Sequence, residues 1–181
     1  MTDWRNDLSL PKMEKWNEHT DLRTCTFQVH IFRTLRSNFY MTLKDGFLHI
    51  ACPQATDFAD PQVQQVLQTM IERALLHEAK RMLPSRLQGL ADRHDFRYAG
   101  VTIRNTRSRW GSCSTQKRIN LSLSLMLLPE HLIDYVLLHE LCHTAEMNHG
   151  KRFWQLMDTV TNGRAQALRK ELKGYHTWKS T

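Results

Sequence analysis

The chain is 181 residues and 21.4 kDa, with 41% hydrophobic and 24% charged residues, enough for one packed core and short for two. Lys and Arg number 25 against 18 Asp and Glu, and the resulting net charge of +7 biases the surface towards anionic partners. No stretch approaches the roughly 18–20 apolar residues of a membrane-spanning helix, and residues 1–10, with Asp3, Arg5 and Asp7, lack the apolar core of a secretory signal, so a cytoplasmic protein with no membrane partner is expected.

In chain order, residues 1–23 are polar and mixed in charge and read as an N-terminal arm, with a short helix around 13–16 as the one element. From 24 to 53, Phe27, Val29 and Ile31 alternate with polar neighbours, as do Phe39, Met41 and Leu43, and Asp45-Gly46 supplies a hairpin turn into 47–51. This predicts an antiparallel β-meander. Asp60-Pro61 is an N-cap followed by proline at the first helical position, and Val63, Val66, Leu67, Met70, Ile71, Ala74, Leu75 and Ala79 follow at helical spacing. A long amphipathic helix is expected, ending or kinking near Pro84. Strand character returns over 98–128, where Val101 and Ile103, then Leu121, Leu123 and Leu125, alternate with polar residues around a turn at 111–116. Pro129-Glu130 opens a strongly apolar helix over about 130–145, and helical segments follow over about 151–160 and 165–173. The order makes an α+β fold, with a main domain over 24–160 and a C-terminal helical tail over 161–181 packed on it. Cys25, Cys52, Cys113 and Cys142 form no C-x-x-C pair, so reduced thiols are expected.

The chemistry concentrates in His139-Glu140-Leu141-Cys142-His143. At about 100° per residue, His139 and His143 lie about 40° apart on one helix face and one turn along it, so both imidazoles reach one metal ion. Glu140, about 100° round from His139, can approach a water at that metal without entering the coordination sphere, the place of a general base. Leu132, Ile133, Val136, Leu137, Leu138 and Leu141 surround these polar groups, and burying them without partners would cost several kcal/mol. A metal ion removes that cost, and imidazole ligation favours Zn2+, one per chain.

Two residues compete as third ligand. Glu146 shares the face of His143 if the helix continues, whereas a chain turning at 148–150 brings His149 back from another direction. Three ligands in line along one helix converge poorly on a tetrahedral centre, so His149 is preferred. Metzincins share this spacing but carry glycine where Glu146 stands and a methionine turn downstream. Met157 instead lies in the helical 153–157 run and reads as core. His77-Glu78 heads a second superficial match that ends in Arg81 in place of histidine, a decoy on a solvated helix face.

Ser108-Arg109-Trp110-Gly111-Ser112-Cys113-Ser114, Ile119-Asn120-Leu121, His139-Glu140-Leu141-Cys142-His143 and Met147-Asn148-His149-Gly150-Lys151-Arg152-Phe153-Trp154 together resemble the YgjP-like family of metal-dependent hydrolases, relatives of the SprT-like zinc metallopeptidases. The resemblance spans about residues 24–160. It implies a zincin-like metallopeptidase core, a small antiparallel or mixed sheet beside a buried metal helix, with His139, His143 and His149 as ligands and Glu140 catalytic.

In such a core an edge strand beside the metal can take an extended peptide, and Gly111 would let its backbone approach, with Trp110 alongside; a strand bend with Trp110 in the core is the other reading. Arg109, Arg152, Tyr175 and His176 are candidates to stabilise developing negative charge. The basic excess lies in the middle third, where residues 61–120 carry 11 basic and 4 acidic side chains, and Arg104, Arg107, Arg109, Lys117 and Arg118 form a basic rim. A zinc peptidase is the leading expectation. The rim also suits a nucleotide phosphohydrolase acting on an anionic substrate, or an SprT-like module held on nucleic acid through residues 97–118.

Overall fold

A computed structural model describes residues 15–106 and 108–175. Residues 27–53 form a three-stranded sheet from β1 (Gln28–Thr34), β2 (Tyr40–Lys44) and β3 (Phe47–Pro53). Asp45 (φ 51°) and Gly46 (φ 78°) make the two-residue turn that pairs Lys44 with Phe47, as the Asp-Gly signal requires. The meander, however, is replaced by the order β1-β3-β2, with β1 parallel to β3. Alternation tells which face a residue takes but not which strand is its neighbour, and Val29 and Ile31 find Leu48 and Ile50 in register on the buried face. The hairpin tip holds β1 in place, Gln28 N–H donating to Gly46 O at 2.9 Å.

Helix α1 (Pro61–Arg93) begins where predicted, the Asp60 carboxylate accepting from Gln62 N–H at 2.8 Å. It does not end at Pro84. The lost backbone hydrogen bond is outweighed by packing on both sides, since Leu83 and Leu87, like Leu67, Ile71 and Leu75, are fully buried. Glu78 also corrects the solvated-face reading: it is 6% exposed and pairs with Arg81 at 2.6 Å.

The second sheet repeats the topology of the first, with order β4-β6-β5 from β4 (Gly100–Arg104), β5 (Gly111–Cys113) and β6 (Arg118–Ser122), β4 parallel and β5 antiparallel to β6. The predicted turn at 111–116 is shorter, because 111–113 join the sheet as an edge strand and Lys117 (φ 57°) closes the loop. After β6 the Leu/Ser alternation is not a strand but a 3-10 turn (Leu123–Leu127). Ser122 and Ser124 are as buried as the leucines, satisfied by local bonds such as Ser124 N–H to Ser122 Oγ at 3.2 Å, so polarity alternates without any change of side.

Helix α2 (Glu130–Cys142) is the centre of the molecule, packing on α1, on β5, and on α3 (Lys151–Val160) and α4 (Ala165–Leu172). Burial on nearly all sides explains its near-continuous apolar run. Arg86 of α1 grips it, bonded to both Asp134 and Glu130. Among the described residues no helix is long and apolar enough to cross a membrane, and the cysteines are free.

Candidate metal centre

Helix α2 stops at Cys142, earlier than predicted, with His143 as its cap. Thr144 then tightens the chain, its N–H and hydroxyl both donating to Leu141 O, at 2.9 and 2.7 Å. Among the described residues the metal-ligating group that comes together is His139, His143 and His149, without the Glu146 carboxylate, and residues 144–150 loop back.

The loop returns His149 to the other two imidazoles. The Nε2 atoms of His143 and His139 are 3.2 Å apart, those of His143 and His149 3.0 Å, and those of His149 and His139 3.1 Å. Glu146 contributes through its backbone: its carbonyl can only accept, so the 3.1 Å contact fixes the proton of His143 on Nδ1 and turns the Nε2 lone pair towards the cluster. Burial above all, then the adjacent imidazoles and the Arg169 guanidinium, hold the His139 pKa well below its ordinary value, keeping the ring neutral. Three imidazole nitrogens at this spacing fit a single cation with bonds of about 2.0–2.1 Å each, and the donor set suits zinc.

Phe153, wholly buried in the first turn of α3, forms the floor. Its ring lies 4.9, 4.6 and 4.8 Å from the rings of His139, His143 and His149. Trp154 stacks on His149 at 6.1 Å, and Arg169 of α4 lies 4.9 Å over Trp154. Phe153 was readable in sequence only as part of a motif. Arg169 carried no signal, because it sits in a segment that reads as a plain surface helix.

Glu140 is 2% exposed and faces β5, where a Cβ on Gly111 would stand 2.8 Å from both its Cγ and Oε1. What approaches Gly111 is therefore the Glu140 side chain itself. Cys113, two residues along β5, has its thiol pushed up to about 11, by burial first and then by the Glu140 charge. Burial pushes Cys142 up to about 12, leaving it a protonated packing residue. Trp110 is 3% exposed and packs in the core, the second of its two readings. Arg109 and Arg152 are both exposed, just before β5 and in the first turn of α3. Tyr175 is half-buried against the core; His176 and Arg107 lie outside the described residues, as do residues 13 and 14 of the 13–16 segment.

The model of the YgjP-like metallopeptidase domain matches residues 14–175, beyond the 24–160 span of the motifs. The chain belongs to this family. No curated protein matches it. Among solved structures, the YgjP-like chain is similar to the metallopeptidase zymogen abylysin of Pyrococcus abyssi, at 23% identity and a TM-score of 0.47 over 51% of this chain and 93% of that one. The histidine cluster thus lies in a chain whose family is one of metallopeptidases.

Proposed function

We propose that the chain is a zinc-dependent peptidase in which His139, His143 and His149 hold one Zn2+ and Glu140 is the general base. The observation that carries the reading is the convergence of three Nε2 atoms, 3.0–3.2 Å apart, on the helix turn that also bears the buried Glu140. Bound there, zinc would polarise a peptide carbonyl and lower the pKa of water to about 7. Glu140 then accepts a proton from the attacking water and delivers it to the leaving amine. Its place against Gly111 keeps the carboxylate beside β5, an edge strand of its sheet and so a candidate to take an extended peptide. Arg104, Arg109, Lys117 and Arg118 are exposed around this sheet and favour an acidic substrate, or one carried on nucleic acid. The same reading takes 24–160 as the catalytic domain with α4 as part of a packed tail, in a cytoplasmic protein.

The test is zinc analysis together with turnover of a casein-type substrate beside a panel of nucleoside triphosphates. The wild type is expected to carry about one zinc per chain and to cleave peptide. Glu140→Gln should keep the metal and lose about 10²-fold or more in kcat. Phosphate release without peptide cleavage would instead select the phosphohydrolase, and undiminished turnover in Glu140→Gln would remove the base.

A further inference from the structure

The first sheet has a second face that the metal centre does not use. Alternation sends Val29, Ile31, Leu48 and Ile50 into the core and turns the intervening residues outward. The register then sets them in rows: His30 beside His49 and Thr42, Phe32 beside Ala51 and Tyr40, and Phe47 beside Lys44. Rings stack along these strands. His30 lies on Phe32 at 5.2 Å, His49 on Phe47 at 5.7 Å, and the two imidazoles meet across β1 and β3 with Nδ1 atoms 3.3 Å apart.

This aromatic surface is open to solvent. Tyr40 is 51% and Phe47 42% exposed, which forfeits the burial that favours aromatic rings elsewhere. Its charges are of one sign. Arg36 lies 5.1 Å over the Tyr40 ring, Lys44 ends β2, and no outward position of the three strands is acidic. Among the described residues, carboxylates come in at the rim, Asp45 3.8 Å from Lys44 at the hairpin tip and Asp21 3.1 Å from Gln28 Nε2.

We propose that this face binds single-stranded nucleic acid, with bases stacked on Tyr40 and Phe47 and phosphates held by Arg36 and Lys44. Bases offer π-faces of any sequence to flat rings, and their backbone supplies negative charge to Arg36 and, in competition with Asp45, to Lys44. Tyr40 pairs with Ala51, four residues along β3 from Phe47, so the two backbone positions stand about 14 Å apart and their rings would receive two separate bases. The surface is distinct from residues 97–118 and does not depend on the metal centre.

The experiment is fluorescence anisotropy of a labelled oligodeoxythymidine titrated with the full-length protein across a salt series. Binding should weaken steeply as salt rises. Tyr40→Ala and Phe47→Ala should each weaken it by about tenfold or more, while Tyr40→Phe and Phe47→Trp retain it, with circular dichroism showing that all four fold. Arg36→Ala and Lys44→Ala should flatten the salt dependence. The proposal is overturned by absent or salt-independent binding at low salt, by alanine variants that bind normally, or by loss through Arg104→Ala and Lys117→Ala alone. A concentration-dependent dimer abolished by Phe47→Ala, with no oligonucleotide binding, would assign the face to a second copy of the chain instead.

Discussion

Gly111 is constrained by space. Its backbone does not need the left-handed region, yet any Cβ would fall 2.8 Å from Glu140 Cγ and Oε1, and a 2% exposed glutamate has little room to yield. Gly111→Ala should therefore displace the carboxylate while leaving the three imidazoles, none of which supplies the atoms nearest that Cβ, in place. About tenfold or greater loss of kcat with unchanged zinc content is expected, since misplacement by about 1 Å can cost up to about 10²-fold. Placing Gly111→Ala in a Glu140→Gln background separates this from general damage: the double variant should be no slower than Glu140→Gln alone. A further drop of similar size would show that Gly111 acts by another route. The same scale explains why Phe153 stands so close behind His149, as the first turn of α3 sets a flat apolar ring against all three imidazoles.

Elements divide into those that local chemistry determines and those that packing determines. Helices α1 and α2 start where Asp60-Pro61 and Pro129-Glu130 place them, and the β2–β3 turn follows from Asp45-Gly46, because caps and left-handed turns are properties of a few adjacent residues. His139, His143 and Glu140 could be set on one helix from their spacing alone, and His149 could be preferred over Glu146 from the poor convergence of three ligands in line. The strand order, the 3-10 turn at 123–127 and the passage of α1 through Pro84 were illegible, since each depends on contacts far along the chain. Glu78 belongs with these. Arg81 holds its carboxyl below the ordinary carboxylate range, its hydrogen bonds outweighing the opposing effect of burial. A depressed folded-state pKa stabilises the protein above the unfolded value, and that stabilisation is lost as pH falls through the folded value. Glu78→Gln should thus lower the thermal midpoint by about 2–4 °C near pH 7, with wild type and variant converging as pH drops below about 4. Thermal unfolding monitored by circular dichroism at a series of pH values measures this, and a constant difference down to pH 3 would count against the ion pair.

At the level of the whole molecule, the metal centre is also a junction. Helix α2, packed against α1, β5, α3 and α4, supplies His139 and leads directly into His143, while His149 comes from the loop that leads into α3. A cation held by all three would clip α3 to the central helix and would bind only the folded chain, adding its binding free energy to stability. At a free metal concentration 100 times Kd this amounts to about 2.7 kcal/mol, or about 5–10 °C in thermal midpoint for a chain of this length. Chelation should lower the midpoint by that amount, and stoichiometric zinc should restore it. His149 is the residue with which to separate ligation from packing, because it is exposed whereas His139 and His143 are buried. His149→Ala should leave the chelated protein close to wild type in midpoint but remove most of the response to zinc. If chelated wild type and His149→Ala instead differed as widely as the zinc-loaded proteins, the imidazole would be stabilising the loop by its contacts with Phe153 and Trp154, and the junction would be one of aromatic packing, with or without metal.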